Sequence, residues 1–204
     1  FVPLEVTTDD ASLIDGVYDY AVTDRYIYVL PVKEPRIVLF DRQGRFIRTL
    51  VKEGQGPGEF RGILPCIQVD ERNDRLFLFS NNRVWEYTLE GEFIGQSTHE
   101  YSVIYMRHIG KDRFAAISFP FQPFNGGGFG LGLFSRKGDT IAIKNDFYSF
   151  LLPHEKSGFT TSIAPAYSDA QNSVLFKTGS NDTVFCISAD RISAACVLDL
   201  KNSD

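Results

Sequence analysis

Basic charge, helical periodicity, long apolar runs and paired cysteines are all scarce in this 204-residue sequence, and each shortage closes off a class of function. Lys and Arg number 21 against 26 Asp and Glu, a net charge of −5. Without a clustered basic face there is no counterion release to drive phosphate-backbone binding, so no nucleic-acid partner is expected. No apolar run reaches the length needed to cross a bilayer, so no transmembrane segment is expected. Phe1 is not an initiator and Met106 is the only methionine, so the chain reads as a processed product or an expressed portion of one.

Cys66, Cys186 and Cys196 make an odd count without CxxC spacing, which implies neither a zinc site nor a disulfide framework. Cys186 and Cys196 would face each other if the chain turned back near Asp190, although cross-strand disulfide geometry is demanding. The plainer reading is three small buried apolar residues.

Aromatics, by contrast, are plentiful: 18 Phe and 9 Tyr, a composition that favours strands over helices. The nearest approach to a helix, Asp146–Lys156, is interrupted by Pro153 and reads as a connection. Phe1–Val6 alternates apolar and polar residues and reads as an edge strand, which Pro3 tolerates. Ile37–Phe40 and Arg45–Val51 read as a hairpin turning at Asp41–Gly44, followed by the glycine-rich exit Gly54-Gln55-Gly56-Pro57-Gly58-Glu59-Phe60. Pro120–Gly132 reads as a long, flexible hairpin inserted between two strands.

Two submotifs recur in the same order. Asp24-Arg25-Tyr26-Ile27-Tyr28-Val29 is answered by Asp74-Arg75-Leu76-Phe77-Leu78-Phe79 and, loosely, by Asp112-Arg113-Phe114. Phe40-Asp41-Arg42-Gln43-Gly44-Arg45-Phe46 is answered by Tyr87-Thr88-Leu89-Glu90-Gly91-Glu92-Phe93 and by Phe134-Ser135-Arg136-Lys137-Gly138-Asp139-Thr140. A degraded fourth copy starts at Ser173. The period of about 40–50 residues is that of a four-stranded propeller blade. The expected fold is therefore all-β: a β-propeller of four-stranded antiparallel blades in one domain, 1–204. Its repeats span roughly 17–63, 64–100, 101–147 and 160–200, after an N-terminal strand at 1–6.

The FVPLEV opening, the Asp-Arg-Tyr-Ile-Tyr-Val strand, the Asp-Arg-Gln-Gly turn and the Gly-Gln-Gly-Pro-Gly-Glu-Phe loop together resemble the six-bladed β-propellers of the NHL-repeat type. More narrowly, they resemble the secreted lipoproteins of that fold in Bacteroides-like bacteria. The likeness is sharpest over Phe1–Arg61. It implies export to the periplasm or cell surface. It also implies a ring of six blades, of which this chain holds four to five, so that the rest comes from further polypeptide or from self-association.

A propeller lines its centre with the first strand of each blade, here Val17–Val22, Pro65–Asp70, Ile104–Ile109 and Ile163–Ser168. These strands carry Tyr18, Asp19, Tyr20, Gln68, Tyr105, Arg107, His108 and Tyr167. With Arg61, just past the exit loop, the expected ligand-binding set is Arg61, Gln68, Tyr105, Arg107, His108 and Tyr167, facing a glycan, peptide or protein. The alternative is that such residues hydrogen-bond to neighbouring blades. Arg107 stands out because a buried guanidinium needs an anionic partner.

No catalytic set, metal set or cofactor is expected. Metal catalysis needs three protein ligands around an open position, and of His99, His108 and His154 only His108 lies on a first strand. No GxSxG occurs, and the glycine-rich Gly126–Gly132 lacks the Gly-Lys-Ser/Thr ending of a phosphate loop. Trp85 and Tyr87 fall on one strand face, fit for packing between blades or, if exposed, for stacking on a sugar. A non-enzymatic binding or scaffold propeller is the leading reading. The other is a hydrolase or lyase at the channel of an NHL-like propeller.

Overall fold

The computed structural model describes residues 1–6, 12–61, 66–101, 103, 105–117, 130–144, 166–168, 172–177 and 182–199. The chain divides into two compact units, Phe1–Thr98 and His99–Asp204. The described residues contain sixteen strands in four four-stranded antiparallel sheets, each built of strands consecutive in the chain. That is the meander of a propeller blade, and the fold class is β-propeller.

In the first unit, one sheet comprises β1 (Val17–Val22), β2 (Tyr26–Pro31), β3 (Arg36–Asp41) and β4 (Phe46–Lys52). The next comprises β5 (Cys66–Asp70), β6 (Arg75–Ser80), β7 (Arg83–Tyr87) and β8 (Phe93–Thr98). In the second unit, β9 (Tyr105–His108), β10 (Arg113–Ile117), β11 (Leu131–Ser135) and β12 (Thr140–Lys144) form the third sheet. The fourth comprises β13 (Ala166–Ser168), β14 (Ser173–Phe176), β15 (Thr183–Ser188) and β16 (Ile192–Val197). Every pairing of a third strand with a fourth carries a register shift, the bulge that adds twist to an outer strand.

The recurring turn has a physical basis. Asp41 and Ser135 end a third strand and Thr88 directly follows one, and each accepts through the side chain a backbone N–H four residues on: Arg45 at 2.9 Å, Glu92 at 3.1 Å and Asp139 at 3.0 Å. Three residues after each stands a glycine with φ of 85° to 101°, where a β-carbon would be strained (Gly44, Gly91, Gly138). The Arg45 backbone N–H, more than its guanidinium, holds the Asp41 carboxyl below the usual range. In the fourth sheet Ser188 closes a shorter turn onto the Arg191 carbonyl.

The Asp-Arg submotif ties the neighbouring turn. Asp74 Oδ1 accepts the Leu89 N–H at 3.1 Å, and the Asp112 carbonyl accepts the Arg136 N–H at 2.9 Å.

Each unit has its core between its two sheets. In the first, Tyr28, Leu30, Ile37, Leu39, Leu76, Leu78, Trp85 and Tyr87 pack together. Trp85 and Tyr87 are buried there, so they pack between sheets and offer no platform to a sugar. In the second unit, Ile117, Leu131 and Leu133 meet Phe176, Phe185 and Ile187.

Two expectations are corrected. Residues 1–6 are not a strand and join no sheet; the backbone bond they make among the described residues is Glu5 N–H to the Gly44 carbonyl at 2.8 Å, too little to form a ladder. Cys66, Cys186 and Cys196 are free, as the plainer reading has them, with Cys186 opposite Ser193 and Cys196 opposite Val184, but they are not buried: Cys66 and Cys186 are half-buried and Cys196, on the last strand of its sheet, is exposed. The insertion, Asp146–Lys156 and His154 lie largely or wholly outside the described residues.

Candidate functional site

The glycine-rich exit loop is built around two side chains of its own. Phe60 is fully buried and meets Trp85 edge-on at 6.4 Å, so the loop is pinned into the core between the first two sheets. Glu59 folds back so that its carboxylate accepts the Gly56 N–H at 2.7 Å and lies 3.8 Å from Lys52 Nζ. A β-carbon at Gly58 would meet the Phe93 β-carbon at 2.8 Å, and its φ of 78° is one that glycine favours, which accounts for that glycine. Arg61 donates to the Gly54 carbonyl at 3.0 Å and to the Gln55 carbonyl at 3.3 Å. Its guanidinium therefore braces the loop.

The first strands divide by exposure. β1 turns four of its six residues to solvent, with Tyr20 64 % and Tyr18 45 % exposed. Asp19, between them, accepts the Tyr20 N–H through Oδ1 and the Ile67 N–H of β5 through Oδ2, both at 2.8 Å. That carboxylate stitches β1 to β5 and sets the tyrosines beside the joint. Burial, then Cys66 and Asp19, push the Tyr18 hydroxyl upward, and burial pushes the Cys66 thiol up to about 11. Cys66 is thus a protonated thiol near neutral pH and no nucleophile.

Strand alternation separates the remaining candidates. Gln68 is half-buried opposite Phe77, on the sheet face away from the first core. On β9, Arg107 and Tyr105 pair with Ala115 and Ile117, whose side chains face the second core, and Tyr105 packs against it. His108 pairs with Phe114 and points to the other face, with its ring 5.4 Å from the phenyl. Arg107 and His108 therefore cannot converge on one ligand atom. Tyr167 lies on β13, opposite Val174.

Unexpected from sequence is His99. It is buried against Phe114 and Phe134, whose ring centroids lie at 6.0 Å and 5.2 Å. Burial pulls its pKa down to about 4, so the imidazole is neutral near neutral pH. Also missed is the Arg75–Glu86 ion pair at 2.8 Å, in which Glu86 is buried. Among the described residues no cluster of three His, Cys, Asp or Glu could hold a metal, and no helix is long and apolar enough to cross a membrane.

The fold has solved counterparts. A Bacteroides fragilis protein assigned as exported superposes with a TM-score of 0.71 at 19% identity, over 95% of this chain and 54% of that one. A DUF4221-family member from Bacteroides vulgatus gives 0.58 at 10%, over 92% and 59%. A streptogramin B lyase gives 0.54 at 12%, over 92% and 56%. The chain thus spans a little over half the length of these structures. No curated protein matches it. All of residues 1–204 match one family model, and the chain belongs to the family described as a domain of unknown function, DUF4934.

Proposed function

We propose that this protein is a non-enzymatic binding propeller, exported and facing the periplasm or cell surface, with a glycan, peptide or protein ligand. The observation that carries the reading is the pair of exposed tyrosines on β1, held by the Asp19 bridge to β5. Aromatic rings fixed on a strand offer apolar area with a polar tip at low entropic cost, the surface a sugar ring or peptide side chain stacks on. Gln68 is the further contact proposed for the first unit, and Tyr105, Arg107, His108 and Tyr167 are those proposed for the second, each unit taken by itself, in a six-bladed ring of the NHL type. Such a ring would be completed by further polypeptide or by a second chain. The likeness to an exported Bacteroides protein supports the location, and the resemblance of the opening motifs supports a lipoprotein.

The test is a glycan and peptide array probed with the chain and with Tyr20→Ala. A ligand retained by the parent and lost by the variant supports the reading. Empty arrays, or equal binding by both, overturn it in this form.

A second reading, a lyase or hydrolase, draws on the likeness to streptogramin B lyase. Turnover of streptogramin B, with and without added divalent metal, would favour it.

A further inference from the structure

Two buried oxygens between the first and second sheets have hydrogen-bonding capacity left over. Tyr28, on β2, is fully buried in the first core, and its hydroxyl has no hydrogen-bond partner among the described residues. Burying a hydroxyl unpaired is costly, so a core rarely carries one without a reason. Glu71, in the single 3-10 turn Glu71–Asn73 between β5 and β6, reaches across to the start of β2. Its Oε2 accepts the Asp24 N–H at 3.3 Å, and its Oε1 lies 3.5 Å from Arg25 Nε. Oε1 is buried as well, and so long a contact leaves its lone pairs largely unused.

The two groups feel each other. Burial first, and then the Glu71 charge ahead of Arg25, Tyr26 and Glu90, sets the Tyr28 hydroxyl, which is pushed up to about 12. The hydroxyl is therefore a donor that needs an acceptor, near a carboxylate oxygen that has room for a donor. No direct hydrogen bond joins them. Tyr87 is the contrast, because burial alone pushes its hydroxyl upward. We propose that the first joint holds one structural water, which accepts from the Tyr28 hydroxyl and donates to Glu71 Oε1. Buried waters take two to four such partners, and this one ties β2 to the connection between β5 and β6. A hard divalent cation suits the site poorly. Arg25 already faces the carboxylate, and such an ion takes about six to eight oxygens. The site is separate from the β1 tyrosines and does not depend on their role.

A double-mutant cycle in urea denaturation tests the bridge on the full chain. Tyr28→Phe should lower the folding constant about fivefold, since it removes the donor that holds the water. In a Glu71→Ala background, where the acceptor is already gone, the same change should cost less than about twofold. A neutral or stabilising Tyr28→Phe overturns the proposal, and so does an equal loss in both backgrounds. Should a variant fail to fold, a crystal structure of the parent chain at water-resolving resolution decides. One ordered water in hydrogen-bond contact with both oxygens supports the proposal. A metal ion there, a direct bond between the two groups, or a dry contact overturns it.

Discussion

The two sheet pairs bury similar apolar faces but are held by different means. Between the first and second sheets an aromatic from the exit loop, Phe60, fills the joint against Trp85. Polar ties cross it as well: Asp19 to the Ile67 N–H, Arg48 to Glu90, and Glu71 to the Asp24 N–H and to Arg25 at 3.5 Å. Burial pushes the Glu71 carboxyl up, but hydrogen bonds from Thr23, Asp24 and Arg25 outweigh it and hold the group ionised. Between the third and fourth sheets the core is mostly aliphatic, and the ties seen among the described residues include an exposed Lys111–Asp190 pair at 3.4 Å and Lys144 over the Phe185 ring. Among the described residues, directional contacts are thus prominent at the first joint and apolar fit at the second. The second unit adds what the first lacks, a buried imidazole packed between phenyl rings.

The sharpest way to break the contrast is Phe60→Ala. Removing a fully buried phenyl should cost about 3–5 kcal/mol, read as a lower urea midpoint with unchanged slope. If the loop were only a connection, the cost would stay below about 1 kcal/mol.

The second unit should answer to acid. His99 has a folded pKa of about 4 against 6.5 unfolded, so between those values the unfolded chain binds the extra proton. Its contribution is complete above pH about 6.5 and is lost as pH falls toward about 4, a swing of about 3 kcal/mol. His99→Phe should flatten that part of the stability profile and leave pH 7 to 8 little changed. A parallel profile in the variant would refute the assignment.

Smaller again is Asp19→Ala, which strands the Ile67 and Tyr20 N–H groups and should cost about 1–3 kcal/mol in chemical denaturation. Asp19→Asn should recover part of that loss, since its carbonyl can keep one bond. The smallest effect should have the opposite sign. The Tyr87 hydroxyl is buried and has no hydrogen-bond partner among the described residues, and burial pushes its pKa upward. Tyr87→Phe should therefore be neutral or stabilising by up to about 1 kcal/mol in thermal melts.

Much of the fold was legible because its signals are local. Period-two alternation and the Asp, Thr or Ser with glycine three residues on located the third and fourth strands. The first strands expected at Val17–Val22, Pro65–Asp70, Ile104–Ile109 and Ile163–Ser168 correspond to β1, β5, β9 and β13. Side-chain direction was harder to read. Arg61 sits one residue past the loop, and nothing in its position says that it turns back to brace the loop's carbonyls. Arg107 and His108 are neighbours in sequence, yet the pleat sends them to opposite faces. His99 read only as a histidine off the first strands, because its cage is assembled from Phe114 and Phe134, on later strands. Phe1–Val6 carried a strand's alternation without a partner edge to complete it. Local pattern names the strand; which face a residue joins depends on partners that the pattern does not contain.

The third-to-fourth-strand turns carry a last consequence. Asp41, Thr88 and Ser135 are three different residues closing one geometry, each with a glycine at the same offset. What was copied along this chain is thus a hydrogen-bond acceptor at a fixed distance from a left-handed residue, and spelling drifted freely around it. The five-residue turns should behave as exchangeable parts: a chimera moving residues 88–92 into positions 41–45 keeps the register of its host sheet. The fourth sheet, whose Ser188 turn is shorter, marks where that interchange stops.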